Sequence, residues 1–323
     1  MSQITRLKSA SPVDRATALL REPHRIIPAV RRRIRRPVAL GGTARPVRKP
    51  KKQRLELITR HADLSGLGLE IGPSHNPLLS KADGYNIRIA DYLDRDGLLE
   101  KYHGVRPTGK IEEVDYVLQG GRLPDEIPDR FDYIVASHVI EHTVCLVCFL
   151  EDCAALLRPG GVLTLAVPDH RYCFDYFRER TALGRVIDVH NAGAKVHSEG
   201  SVIEHNLNHV KKGGEAAWSA GFPGTYVDSY AMPVVKQRAA AAVAGEYVDT
   251  HNWVFTPHQF RLLIHDLNSL GLVTLHEKSF TDTVGPEFFV VLSADGAGPG
   301  LTRDQLLLKS AREAGSSEEI RFA

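Results

Sequence analysis

Long hydrophobic runs are missing. Nowhere in the 323 residues do 18 or more apolar residues follow one another, so no segment reads as a membrane-crossing helix. Cysteine is scarce: Cys145, Cys148, Cys153 and Cys173 do not make a disulfide framework in a chain of this length. No secretory signal opens the sequence, so a reduced, cytoplasmic protein is expected. Aromatic residues amount to only 7%, and no internal repeat is visible. What is present is ordinary globular composition, 43% hydrophobic and 25% charged, which excludes wholesale disorder and fibrous classes. The length fits two domains, or one α/β domain with a large insertion.

The net charge of +2 conceals an asymmetry. Residues 1–54 carry 16 Lys and Arg against Asp14 and Glu22, a net of +14, and the remainder carries −12. This basic arm reads as a solvated tail, as a contact for an anionic membrane surface, or as a nucleic-acid contact through phosphates. An Arg-rich, acid-poor start also has the character of a transit peptide. The arm is poor in aromatics, which disfavours base stacking and makes nucleic acid the weaker partner.

From about residue 64 short apolar runs alternate with helical stretches. Strands are expected at 66–71, 85–90, 114–118, 131–136 and 162–167, with helices at 94–102 and 144–157. Arg158-Pro159-Gly160-Gly161 is expected to stop the second helix. This alternation implies a doubly wound, mostly parallel α/β sheet whose strand ends share one ligand-binding edge. Residues 169–254 break the rhythm and read as a large insertion after the fifth strand. Thr256-Pro257-His258-Gln259 then reads as a capping box opening a helix that Gly271 closes, followed by strands at 272–275 and 287–292. The expected organisation is an arm (1–54), a cofactor-binding half (55–168), an insertion serving as acceptor lid (169–254), a closing helix and hairpin (255–294), and a tail (295–323) with a short amphipathic helix near 302–313.

The first loop, Glu70-Ile71-Gly72-Pro73-Ser74-His75-Asn76-Pro77, follows a buried strand. Its glycine allows close backbone approach to a ligand, and the following N–H groups suit polar or anionic groups. Asp91 ends the second strand about 20 residues on, a spacing that suits a ribose diol.

With Phe131-Asp132-Tyr133-Ile134-Val135-Ala136-Ser137-His138-Val139-Ile140-Glu141-His142 and Leu157-Arg158-Pro159-Gly160-Gly161-Val162-Leu163, these motifs resemble the class I S-adenosylmethionine-dependent methyltransferases. The resemblance implies a seven-stranded Rossmann-like sheet and S-adenosylmethionine as methyl donor. It places Glu70, Gly72, Asp91, Gly120, Ser137 and His138 around that cofactor, with Asp91 on the ribose and Gly120 near adenine. The chain departs from the family pattern where Ser74 and Asn76 stand in place of further glycines, and where Gln119-Gly120-Gly121 replaces an acid after the third strand. A Rossmann dehydrogenase explains neither the His138–His142 segment nor the closing hairpin.

A sulfonium is already activated, so such an enzyme aligns the acceptor and removes its proton. His170, fixed by the end of the fifth strand, is the first candidate base, and His205 the second. His138, Glu141 and His142 fall on one face of a helical turn. Their pattern is similar to the E-x-x-E-H metal site of small-RNA 2′-O-methyltransferases and ubiquinone-pathway O-methyltransferases, which implies Mg or Mn, with His138 in place of the first Glu. The plainer reading is that Glu141-His142 caps the helix and touches cofactor or substrate. Cys145, Cys148 and Cys153 lie on an apolar helix and read as buried core thiols rather than zinc ligands.

Aromatic-rich stretches at 172–177, 218–230 and 251–253 suit a saccharide or other hydroxyl acceptor, or else anchor the insertion. A likeness of the 168–175 segment to bacterial methyltransferases of cell-surface glycans favours the former. An RNA methyltransferase using the arm and a non-catalytic scaffold are the rival readings.

Overall fold

The computed structural model describes residues 51–315; the basic arm up to residue 50 and the end of the tail lie outside the described residues, and so do the membrane, nucleic-acid and transit-peptide readings of that arm. Helix α1 (Lys51–Thr59) comes first. Residues 51–54, counted with the arm by charge, are therefore helical, and Ile58 on the same helix is fully buried. The chain then forms β1 (Gly68–Ile71), β2 (Ile87–Asp91), α2 (Arg95–Tyr102), β3 (Tyr116–Val117), α3 (Leu123–Glu126), β4 (Phe131–Ser137), α4 (Leu146–Leu156) and β5 (Leu157–Pro168). The insertion supplies α5 (Leu183–Asn191), α6 (Glu199–Asn208), a small hairpin of β6 (Val210–Lys212) and β7 (Tyr226–Asp228), and α7 (Met232–Val243). Helix α8 (Pro257–Ser269), β8 (His276–Val284), β9 (Glu287–Ser293) and α9 (Arg303–Glu313) complete it.

Seven strands make one sheet in the order β3-β2-β1-β4-β5-β9-β8. Strands β1 to β5 pair in parallel, whereas β9 runs antiparallel to both β5 and β8. Every residue of β1 and β9 is buried, the polar Glu70, Glu287 and Ser293 included, because the sheet is covered on both faces. Helix α4 buries Leu146, Val147, Phe149, Leu150, Cys153 and Leu156, a run that packs with Phe131, Leu163 and Phe288 in the main core. Each such side chain contributes roughly 1.5–3 kcal/mol on leaving water. Because the crossovers have one hand, the carboxyl ends of β1, β2, β4 and β5 meet at one edge. No helix among the described residues is long and apolar enough to cross a membrane.

Several local expectations are corrected. The strand expected at 272–275 is a linker that buries Val273 and Leu275; pairing begins at His276, in an edge strand whose polar residues mask its pattern. The capping box at Thr256 does not form. Gln259 instead donates to the Thr181 carbonyl at 2.5 Å, and the Glu313 carboxylate accepts from the His258 N–H at 3.0 Å. Arg158-Pro159-Gly160-Gly161 lies within β5 as an irregularity, between the Phe131–Leu157 and Tyr133–Val162 pairs. Cys153 and Cys173 are buried thiols, but Cys145 and Cys148 are joined in a disulfide at the start of α4. Of the insertion's aromatics, Trp218 and Tyr226 pack with Tyr172, Tyr176, Phe177 and Phe222 into a separate small core, so these side chains anchor the insertion.

Candidate functional site

The loop after β1 is built on buried acids. Glu70, 2% exposed, accepts the backbone N–H groups of Leu78 at 2.8 Å and Leu79 at 3.0 Å. Both of its oxygens therefore brace the loop, and burial pushes its pKa up to about 7. Asp91, also 2% exposed, accepts from Ser74 N at 2.9 Å and Tyr92 N at 2.8 Å, with its pKa raised by burial. Gly72 has φ +63°, and a Cβ there would stand 3.0 Å from Val139 Cγ2, so the position needs glycine twice over. Ser74 holds φ +58° without being glycine, anchored through its N–H to Asp91 and its hydroxyl to Tyr102. Gly120, at φ +87° with open space around it, sits in a loop that Glu126 holds through Gln119 N and Gly121 N. Glu126 thus supplies an acid at this loop from α3, five residues or more beyond the position where it is sought in sequence.

The turn after β4 is a second construction. His138 takes φ +56° and places its Nε2 2.8 Å from Glu287 Oε2 and its Nδ1 3.6 Å from Glu141 Oε1. Glu287 also accepts from Arg54 Nε at 2.6 Å, while Arg54 Nη2 donates to Ser137 Oγ at 2.6 Å. Burial opposes ionisation of Glu287, but the bonds from His138 and Arg54 prevail and hold its pKa at about 2. Glu141 is fully buried, and among the described residues no other residue donates a hydrogen bond to its carboxylate; its own backbone N–H is the one hydrogen-bonding group that favours the ionised form. Around Oε1 stand three imidazole nitrogens: His138 Nδ1 at 3.6 Å, His251 Nε2 at 3.9 Å and His142 Nε2 at 4.0 Å.

The outer nitrogens of two of these rings meet carboxylates. His142 Nδ1 lies 2.8 Å from Asp249 Oδ1, and His251 Nδ1 hydrogen-bonds Asp175 Oδ2. Burial lowers the His251 pKa to about 3, so this ring is neutral at ordinary pH and its Nε2 is free to act as a ligand. For His142 burial works against the charged form, yet the Asp249 carboxylate outweighs it and raises the pKa. Glu141, His142 and His251 bring their donor atoms close enough to share one cation. Ligands about 2.1 Å from an ion stand roughly 3–3.5 Å apart, so the two nitrogens at 3.9 and 4.0 Å from Oε1 would have to draw in by about 0.5–1 Å to close this set. Carboxylates behind ligating histidines fix the ring orientation in such sites.

Both candidate bases adjoin Asp175. His205 joins the cluster: its Nδ1 is 3.7 Å from Asp175 Oδ1 and its ring centroid 5.6 Å from that of His251. His170 opens the short 3-10 turn that follows β5, its Nδ1 is buried without a partner, and burial lowers its pKa. Its ring nonetheless donates to the Asp175 backbone carbonyl, so His170 adjoins the carboxylate that serves His251 and His205. Sequence reasoning singled out His138, Glu141 and His142 but missed the roles of His251, Asp175, Asp249, Glu287 and Arg54. The alternation in Asp249-Thr250-His251 is the one signal that points toward the set.

The strand order, with one antiparallel strand wedged between β5 and the edge, is that of the class I S-adenosylmethionine-dependent methyltransferase fold. No family model matches the chain. It is similar to two ubiquinone biosynthesis O-methyltransferases: that of Nitrobacter winogradskyi, 45% identical over 38 residues (12% of this chain, 15% of the relative), and that of Parvibaculum lavamentivorans, 38% over 53 residues (16% and 21%). The chain thus matches only about a fifth or less of the length of these relatives. Among solved structures, glycopeptide N-methyltransferase MtfA with S-adenosylhomocysteine superposes with a TM-score of 0.35 at 13% identity, over 75% of this chain and 87% of that one. A Zn-dependent alcohol dehydrogenase of Rhodobacter sphaeroides gives 0.44 at 12% identity, over 76% and 90%.

Proposed function

We propose that this protein is an S-adenosylmethionine-dependent O-methyltransferase whose acceptor hydroxyl is placed by a divalent ion on Glu141, His142 and His251, with His138 beside them. The observation that carries the reading is the buried Glu141 carboxylate, bonded by no other described residue and ringed by three imidazole nitrogens at the cofactor edge of this fold. A buried carboxylate without partners is strongly disfavoured in its ionised form, so it either keeps its proton, as its raised pKa favours, or takes a ligand; we infer the ligand. Imidazole with carboxylate suits Mn2+ and similar ions better than Mg2+. Such an ion supplies a lowered hydroxyl pKa at the acceptor oxygen.

The chain's own groups do the rest. Gly72 and the loop braced by Glu70 admit the methionine portion, Asp91 offers its remaining lone pairs to the ribose, and Gly120 leaves room for adenine. Ser137 and His138, fixed by Arg54 and Glu287, hold the turn between donor and acceptor. His205, whose pKa burial lowers, takes the acceptor proton as the oxygen attacks the methyl carbon and the sulfur retains its bonding pair. His170, hydrogen-bonded at the Asp175 backbone, is the second candidate for that proton. The local likeness to O-methyltransferases supports transfer to oxygen. For the acceptor we keep a saccharide or similar polyhydroxyl compound, supported by Phe174 stacked on His209 at 4.2 Å beside Tyr230 and His205.

The test is calorimetric titration of S-adenosylhomocysteine into metal-stripped protein, repeated with Asp91→Ala, followed by a hydroxyl-acceptor screen with and without Mn2+. Binding weakened by Asp91→Ala, with turnover that Mn2+ raises, is the expected result. Absence of cofactor binding in every arm would overturn the reading.

A further inference from the structure

A second donor set lies outside this cluster. Cys145 is the residue immediately before α4 and Cys148 lies in its first turn, so the C-x2-C spacing brings both sulfurs to the start of that helix. His190, in the last turn of α5, places Nδ1 3.7 Å from each sulfur. Cys148 N donates to Cys145 Sγ at 3.1 Å, an arrangement that favours thiolate over thiol. Cys148 and His190 are half-buried, and Cys145 is 9% exposed, so solvent reaches the group.

We propose that Cys145, Cys148 and His190 form a redox-gated site for zinc or a similarly thiophilic divalent ion. Zinc binds thiolate at about 2.3 Å and imidazole at about 2.0–2.1 Å, so a tetrahedral ion sets sulfur and nitrogen roughly 3.6 Å apart. His190 already stands at that separation from both sulfurs, on a different element, and the three donor atoms are within sharing distance of one ion. In the disulfide form the sulfurs are bonded to each other and the site is closed. A dithiol reductant delivers two electrons and two protons, opening the disulfide to two thiols and itself becoming a disulfide. Zinc then displaces the two thiol protons, and water takes the fourth position. The ion ties the start of α4, three residues beyond His142, to the first helix of the insertion. This proposal stands apart from the methyl-transfer reading, because it shares no donor with the Glu141 cluster.

Co2+ distinguishes the two sites, since only thiolate ligation gives intense near-ultraviolet charge-transfer bands. The full chain, reduced and freed of metal, is titrated with Co2+ beside unreduced protein and the Glu141→Gln, Cys148→Ser and His190→Ala variants, each checked for folding by circular dichroism. Expected are thiolate bands saturating at one equivalent in reduced Glu141→Gln, and by two equivalents in reduced wild type, where the Glu141 set also takes Co2+; Zn2+ should bleach them in both. Unreduced protein and Cys148→Ser should show no such bands, and His190→Ala should bind at least ten-fold more weakly. A folded, reduced protein with both thiols titratable and no thiolate band would overturn the proposal, as would bands indifferent to His190→Ala.

Discussion

The loop after β1 and the turn after β4 each bury a glutamate at the same edge of the sheet, and treat it in opposite ways. Glu70 has each oxygen on a backbone N–H of another residue, whereas among the described residues none donates to Glu141, which has three imidazoles near one oxygen. Burial raises the pKa of both groups. The difference lies in what answers the lost hydration. The fold itself answers it at Glu70, which makes that residue part of the scaffold. At Glu141 either a proton, which its raised pKa favours, or a ligand does so, and on the proposed reading it is a ligand.

The largest effect expected from this contrast is on turnover. Glu141→Gln keeps the side-chain shape and should lower methyl transfer roughly 100-fold or more, as loss of several kcal/mol of charge stabilisation requires, with little change in the urea midpoint. Steady-state rates beside urea melts check both halves; equal losses in both would place Glu141 in the scaffold as well. Next comes Asp175→Asn, which leaves His251 without its orienting carboxylate. Metal affinity should fall roughly 10–100-fold, read by Mn2+ titration. Glu70→Gln should show the converse of Glu141→Gln. One buried N–H loses its acceptor, so stability falls by about 1–3 kcal/mol while kcat stays close to wild type.

The smallest effect concerns pH. His251 has a pKa of about 3 when folded and about 6.5 when unfolded. The unfolded chain binds more protons throughout that window, so the contribution of this neutral ring is complete above pH ~6.5 and is lost as pH falls toward 3. Glu287, at about 2 when folded, adds stability above its unfolded value of about 4.5 that is lost between there and pH 2. Glu70, at about 7 when folded, works in the opposite direction between pH 7 and 4.5, so the His251 contribution is read as a difference: on acidification from pH 7 to 5 the urea midpoint of wild type should fall relative to that of His251→Asn. Parallel profiles for the two proteins would break the assignment.

How much of this could be read in the sequence follows the same division. Strands covered on both faces read as near-continuous apolar runs, so β1, β4 and β5 and the glycine after β1 stand out as text. Asp94 announces α2 by accepting from Gly97 N at 2.8 Å. Strand β8 escapes because an edge strand carries outward polar residues, and its apolar approach at 272–275 imitates a strand. The Glu141 set escapes in part for another reason. His142 and His251 lie more than 100 positions apart, and nothing in spacing says that one insertion histidine rather than another returns to β4. Arg54 was hidden among the arm's other cations, although its bonds to Ser137 and Glu287 place it at the site.

The central claim is that Glu141 is a ligand awaiting its ion. Calorimetric titration of Mn2+ into metal-stripped, unreduced protein and into Glu141→Gln tests it most directly, because the disulfide keeps the thiolate site closed and Mn2+ prefers oxygen and imidazole. The account predicts one equivalent bound by wild type and none by a folded Glu141→Gln. Equal binding by the two proteins, or none by wild type, would contradict it.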